Sequence, residues 1–188
     1  MHADFPVVLD ACVLANPGVC DLFLRLAEPP RLYLPRWSRK IFDEVHRVQT
    51  TKLPKPFPPE LADHWRREVT KHFPEAFIEG YEPIEPQMGN HEKDRHVLAA
   101  AVHGHAFLIV TFNLRDFPLD AISRWNVEAK HPQDYLLTLY SMSPTIVVAK
   151  LAAIALDRGI DIQEVVFSNP APATNLDGER PFLANPLS

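Results

Sequence analysis

Two short apolar runs constrain the fold more than any other feature of the chain. Phe5–Leu9 and Phe107–Thr111 are continuous rather than alternating, and too short for buried helices. A run of that kind reads as a strand covered on both faces, the condition of strands in a parallel sheet between helices. The stretches between them carry helix signals. Asn16-Pro17 reads as N-cap and first residue of a helix through Leu22–Leu26, and Pro29-Pro30 stops it. Ser38 caps a helix running to about Gln49, and the prolines of Lys52–Pro59 mark a loop. Further helices are expected over Leu61–Phe73, His91–His105, Pro132–Ser141, Pro144–Asp157 and Ile162–Phe167. Shorter strands are expected at Leu32–Leu34, Tyr81–Ile84 and Asn126–Ala129, with an exposed loop over Phe112–Asp120.

This alternation predicts a three-layer α/β/α fold with a mostly parallel central sheet. At 188 residues the chain suits one such domain. We place it at residues 1–142, followed over 143–188 by a C-terminal helical extension and a tail, Ser168–Ser188, expected to be irregular. The helix Pro144–Asp157 carries Ile146, Val147, Val148, Leu151, Ile154, Ala155 and Leu156, more apolar surface than one contact face requires. Either a partner covers the surplus, a second copy giving a homodimer or a different protein, or Ile160–Phe167 folds back over it.

Several chemistries lack their signatures. The six glycines are scattered, with no phosphate loop, and the nine histidines never join the cysteines at a zinc spacing. No serine sits in a nucleophile elbow. Were Cys12 and Cys20 on one helix, they would lie about 12 Å apart, too far for a disulfide. No apolar stretch is long enough to span a bilayer, and no basic-then-apolar leader opens the chain, so a cytoplasmic protein is expected. The net charge of −5 argues against a general nucleic-acid coat, but not against a site where acids hold a metal and local cations meet phosphate.

The acids point to that second possibility. Asp10 ends the first buried strand, at the sheet edge where open α/β folds bind ligands. Asp94 falls on the same helical face as Val97, Leu98, Ala101 and Val102, with Glu92 and His96 opposite. A carboxylate there is rare unless it is paired or holds a metal; pairing with a buried arginine is the alternative. Glu44 lies at the edge of the stripe Ile41, Phe42, Val45, Val48, where an acid is more often simply solvated. Asp116 and Asn113 occupy the polar loop after the second buried run, where turn formation competes with ligation. Four such acids on one cleft would make an oxygen-ligand site for Mg²⁺ or Mn²⁺. Arg36, Arg39, Lys40, Lys93, Arg95 and Arg115 lie near them in sequence, though solvated helix faces give the same pattern.

Taken together, VVLDACVL, FDEV, EKDRHVLAAA and LIVTFNLRDFP resemble the successive motifs of PIN-domain nucleases, closest to the bacterial VapC-like toxin branch. The likeness covers about residues 5–140. It implies a metal-dependent ribonuclease with Asp10, Glu44, Asp94 and Asp116 as the catalytic acids. Asp10, Asp94 and Asp116 would be the metal ligands, Asn113 an auxiliary, and Arg36, Arg39 and Arg115 the RNA-binding candidates. It also implies a cognate antitoxin partner. One departure is Cys12, where the family often has asparagine, a stronger hydrogen-bonding group near the metal. The residues admit two other readings, a PIN fold kept for binding alone and a phosphoacceptor signalling domain.

Overall fold

The computed structural model describes residues 5–167. The expected tail Ser168–Ser188 lies outside the described residues. Strands β1 (Pro6–Leu9), β2 (Leu34–Ser38), β3 (Phe77–Ile78), β4 (Leu108–Val110) and β5 (Glu128–Lys130) form one sheet in the order β3-β2-β1-β4-β5. Every neighbouring pair is parallel, so the sheet is wholly rather than mostly parallel. Helices flank it in the expected three-layer α/β/α arrangement. Val7, Val8, Leu9, Ile109 and Val110 are completely buried, as unbroken apolar runs require of strands covered on both faces.

The helical caps follow the sequence closely. Helix α2 (Pro17–Ala27) begins where the Asn16 side chain accepts from the Val19 N–H, and α3 (Arg39–Thr51) where the Ser38 hydroxyl accepts from Ile41. Helix α4 (Pro59–His72) follows the proline-rich loop. Trp37, at zero exposure, anchors a cluster with Phe42, Phe73 and Phe77, while Phe23, Tyr33 and Tyr135 form a second cluster. Helices α7 (Pro132–Met142) and α8 (Pro144–Arg158) pack on each other, and α8 also packs on α2.

Several elements differ from expectation. Tyr81–Ile84 is not a strand: Glu82–Gln87 forms a 3-10 turn whose prolines cannot donate to a ladder, and the edge strand is the two-residue β3 upstream. Strand β2 begins at Leu34, later than Leu32–Leu34 suggested. The expected helix His91–His105 divides into a 3-10 turn, Glu92–Asp94, and α5 (Arg95–His103). Helix α5 contacts β1, β2 and β4 on one side and the Glu82–Gln87 turn on another, so His96 through Ala101 are all buried. His96, placed on the solvent side by its helical position, is therefore wholly enclosed. The Phe112–Asp120 loop is partly folded: a 3-10 turn at Leu114–Asp116 and the start of α6 (Leu119–Ile122) bracket the buried Phe117. Cys12 belongs to a short α1 (Ala11–Leu14) and Cys20 to α2, and both are free thiols.

At the C-terminal end, α9 (Ile162–Phe167) packs on α8 and buries Val165 completely. The fold-back accounts for part of the surplus apolar surface of α8, leaving Val148 and Leu156 exposed. No helix among the described residues is long and apolar enough to cross a membrane.

Because His96 through Ala101 of α5 are all buried, side chains in this stretch should be costly to shorten. Leu98→Ala, at zero exposure, should destabilise the protein by about 2–5 kcal/mol in urea unfolding. A loss under 1 kcal/mol would show that this helix is not central to the core.

Candidate functional site

The strand order fixes where a site can form. β1 leads to β2 on one side while β4 lies on its other side, so the chain leaves their carboxyl ends in opposite directions and opens a crevice. The register pairs Leu9 with Val110, which sets Asp10 and Thr111 side by side just beyond the paired residues. The Asp10 N–H continues the ladder by donating to the Val110 carbonyl at 3.1 Å.

Asp10 is buried, with only 3% of its surface exposed, and its carboxylate is densely hydrogen-bonded. Oδ1 accepts from the Ala11 N–H at 2.6 Å, so Asp10 also caps α1. Oδ2 accepts from the Thr111 hydroxyl at 2.6 Å and from the Cys12 thiol at 3.2 Å. Burial pushes the Asp10 pKa above the ordinary carboxylate value, against the lowering effect of these donors. Cys12 Sγ also lies 3.4 Å from Thr111 Oγ1 and accepts from the Phe112 N–H at 3.4 Å. Burial, with the Asp10 charge beside it, holds the thiol protonated well above its usual range. Cys12 therefore acts as a weak donor to the carboxylate, which is the hydrogen-bonding function its sequence position brought into question.

The remaining acids arrive from three other segments. Asp94 occupies the N-cap position of α5, yet its side chain makes no capping bond and is left to the cleft. Its N–H donates to the His91 carbonyl at 2.9 Å, while the His91 N–H donates to the Asp116 carbonyl at 3.1 Å. These two backbone bonds stitch the turn before α5 to the turn after β4. His91, Asp94 and Asp116 consequently offer ligand atoms that all lie within 4.8 Å of one another. Glu44 projects from the middle of α3, its side chain 27% exposed, with Oε1 3.2 Å from His96 Nε2. Asp10, Glu44, Asp94, Asp116 and Asn113 all line one cleft of about 690 Å³.

The acids of the cleft repel one another. The Asp94 pKa is pushed up to about 6, first by burial and then by the charges of Asp10, Asp116 and Glu44. Converging oxygen donors with mutual repulsion suit a hard divalent cation, which would relieve both the repulsion and the desolvation.

The cations of the cleft are not the three arginines named as RNA-binding candidates, although Lys40 and Lys93 were among the basic residues noted near the acids. Arg36 donates to the Glu75 carbonyl, Arg39 is exposed beside the start of α3, and Arg115 is exposed in the turn after β4. None of them lines the cleft, whose basic residues are Lys40, Arg47, Lys52 and Lys93. Lys40 is paired with Glu85 at 2.9 Å. Sequence reasoning also passed over Thr111, His91 and His96. Thr111 had a readable signal, since it is the polar residue ending the second buried run, as Asp10 ends the first.

Over 82 residues the chain is 45% identical to a protein of Mycobacterium tuberculosis described as "Putative ribonuclease VapC50"; the match takes in 42% of this chain and 48% of that protein. The chain thus spans about half the length of this curated relative. The resemblance to the VapC branch read from the motifs is borne out over that stretch. No family model matches, and no solved structure matches.

In metal-free protein the repulsion at Asp94 should be visible in stability. A carboxyl whose folded pKa is raised keeps its proton more tightly when folded, so its contribution is most favourable below about pH 4 and declines as pH rises toward about 6. Asp94→Asn should remove that decline and stabilise the metal-free protein at pH 7 by on the order of 2 kcal/mol. Wild type should gain stability with Mn²⁺ and the mutant should not. Thermal unfolding with and without Mn²⁺ reads both effects; equal Mn²⁺ stabilisation of the two proteins would exclude Asp94 as a ligand.

Proposed function

We propose that the protein is a divalent-metal-dependent endoribonuclease, the toxin of a toxin–antitoxin pair. The observation that carries this reading is the convergence of Asp10, Glu44, Asp94 and Asp116 on one cleft, with Asp94 raised to about 6 by burial and its acidic neighbours. The name of the Mycobacterium tuberculosis relative supports the same reading.

Asp10, Asp94 and Asp116 would hold Mg²⁺ or Mn²⁺, with Glu44 reaching it directly or through water. When bound, the ion supplies an activated water and neutralises charge on the scissile phosphodiester and its leaving oxygen. The protein's part is positional. Thr111 and Cys12 fix the Asp10 carboxylate through hydrogen bonds to Oδ2, and the 3-10 turns at Glu92–Asp94 and Leu114–Asp116 set Asp94 and Asp116. Asn113 lines the same wall and offers a neutral amide to substrate or solvent. Arg47, Lys52 and Lys93 have no acidic partner among the described residues, so they are available to RNA phosphates. A single strand with splayed bases reaches such a floor more readily than a duplex does. A cognate antitoxin would close the cleft by placing a cation among the acids. The exposed apolar side chains of α7 and α8, Tyr140, Met142 and Val148, are where a homodimer would form.

The test is cleavage of a mixed pool of single-stranded and structured RNA by purified protein. Cutting should require Mg²⁺ or Mn²⁺, stop in chelator, and fall at least 100-fold in Asp10→Asn. Persistence in chelator, or equal cutting by Asp10→Asn, would overturn the reading. Charge reversal at Arg47 and Lys52 should weaken RNA retention in filter binding and flatten its salt dependence, with Mn²⁺ affinity no lower than in wild type.

A further inference from the structure

His96 is completely buried, yet among the described residues neither of its ring nitrogens has an aligned hydrogen-bond partner. A leucine buried at this position of α5 would leave no ring nitrogen without a partner. The polar group that His96 does meet is Glu44, whose Oε1 lies 3.2 Å from Nε2, close enough for a small rotation of either side chain to complete the bond. Glu44 needs such a partner. It sits at the edge of the apolar face formed by Ile41, Val45 and Val48, where a flexible carboxylate ordinarily turns to water. Lys40, one turn before it, is engaged by Glu85, and among the described residues His96 is the one ionic partner of Glu44.

We propose that His96 is a positioning residue that holds the Glu44 carboxylate in the cleft by donating from Nε2. The inference rests on the metal-dependent reading of that cleft and adds a role that the acids alone do not specify. His96 touches neither metal nor substrate; it acts by denying Glu44 its solvent-facing rotamers. The imidazole is thus retained in the core for the geometry of a neighbour on another helix, as outer-shell groups orient metal ligands elsewhere.

Mn²⁺ calorimetry on full-length protein tests this with His96→Leu, His96→Gln, His96→Asn, Glu44→Gln and the double variant His96→Leu/Glu44→Gln. His96→Leu should melt at or above the wild-type temperature yet bind Mn²⁺ about 10-fold more weakly. Glu44→Gln should lose a similar factor, and the double variant should lose no more than Glu44→Gln alone. His96→Gln, which keeps an N–H near the Nε2 position, should recover most of the affinity, whereas His96→Asn, whose N–H falls near Nδ1, should not. That Gln-against-Asn contrast carries the test if His96→Leu fails to fold. Wild-type affinity in His96→Leu, additive losses in the double variant, or equal behaviour of the Gln and Asn variants would each overturn the proposal while leaving the metal site standing. A wild type that binds no Mn²⁺ would overturn both.

Discussion

The hydrogen bond from Thr111 to Asp10 is the contact on which the rest of the site depends. It exists because β1 and β4 are parallel neighbours in register, ending together at the point where the chain departs in opposite directions. A carboxylate at that point cannot escape to water, since the strands leading to it are buried on both faces. It must be solvated by the protein, and the Thr111 hydroxyl, the Cys12 thiol and the Ala11 N–H supply that solvation. Thr111 also accepts from the Asn113 N–H at 3.0 Å, so the residue that fixes Asp10 shapes the loop delivering Asn113 and Asp116. One hydroxyl thereby couples the floor of the cleft to its wall.

What the protein gains in geometry it loses in electrostatics. Asp94 faces Asp10, Asp116 and Glu44 from a position with limited access to water, and its raised pKa measures that conflict. A fold built for stability alone would replace one of these acids or aim a lysine at them. Instead Lys40 turns to Glu85, and Arg47, Lys52 and Lys93 take places in the cleft without an ion pair to its acids. Charges of both signs thus line one cleft among the described residues, the arrangement that the proposed metal and phosphate chemistry would use.

The strands and caps were legible because their signals are local. An unbroken apolar run, an Asn-Pro pair or a serine before an amphipathic segment declares itself within a few residues, and β1, β4, α2 and α3 appeared where these signals put them. The four acids that line the cleft also stood out locally: Asp10 and Asp116 follow strands, Glu44 lies at the edge of an apolar stripe, and Asp94 was placed on one, although it sits in the 3-10 turn before α5. What stayed hidden depended on long-range packing. The helical position of His96 predicted exposure because it assumes one buried face, whereas the Glu82–Gln87 turn covers the face of α5 that the sheet does not. The first residues of that turn fall within the expected strand Tyr81–Ile84. The two-residue β3 was too short to leave a pattern, and Arg47 and Lys52, at the far end of α3, gave no sign from their place in the sequence that they reach the cleft.

Cys12 shows how far a departure from a family pattern can be judged from sequence alone. A thiol in place of an amide suggests a weaker site, because sulfur donates and accepts hydrogen bonds poorly. The consequence depends on its protonation state, which burial decides. An exposed or activated thiolate so near Asp10 would add a further negative charge to an already crowded cleft. Burial and the adjacent carboxylate both disfavour that charge, so Cys12 remains a neutral donor to Oδ2 and accepts from the Phe112 N–H across the switch point. The thiol therefore joins α1 to the loop after β4 and reinforces the link that Thr111 makes.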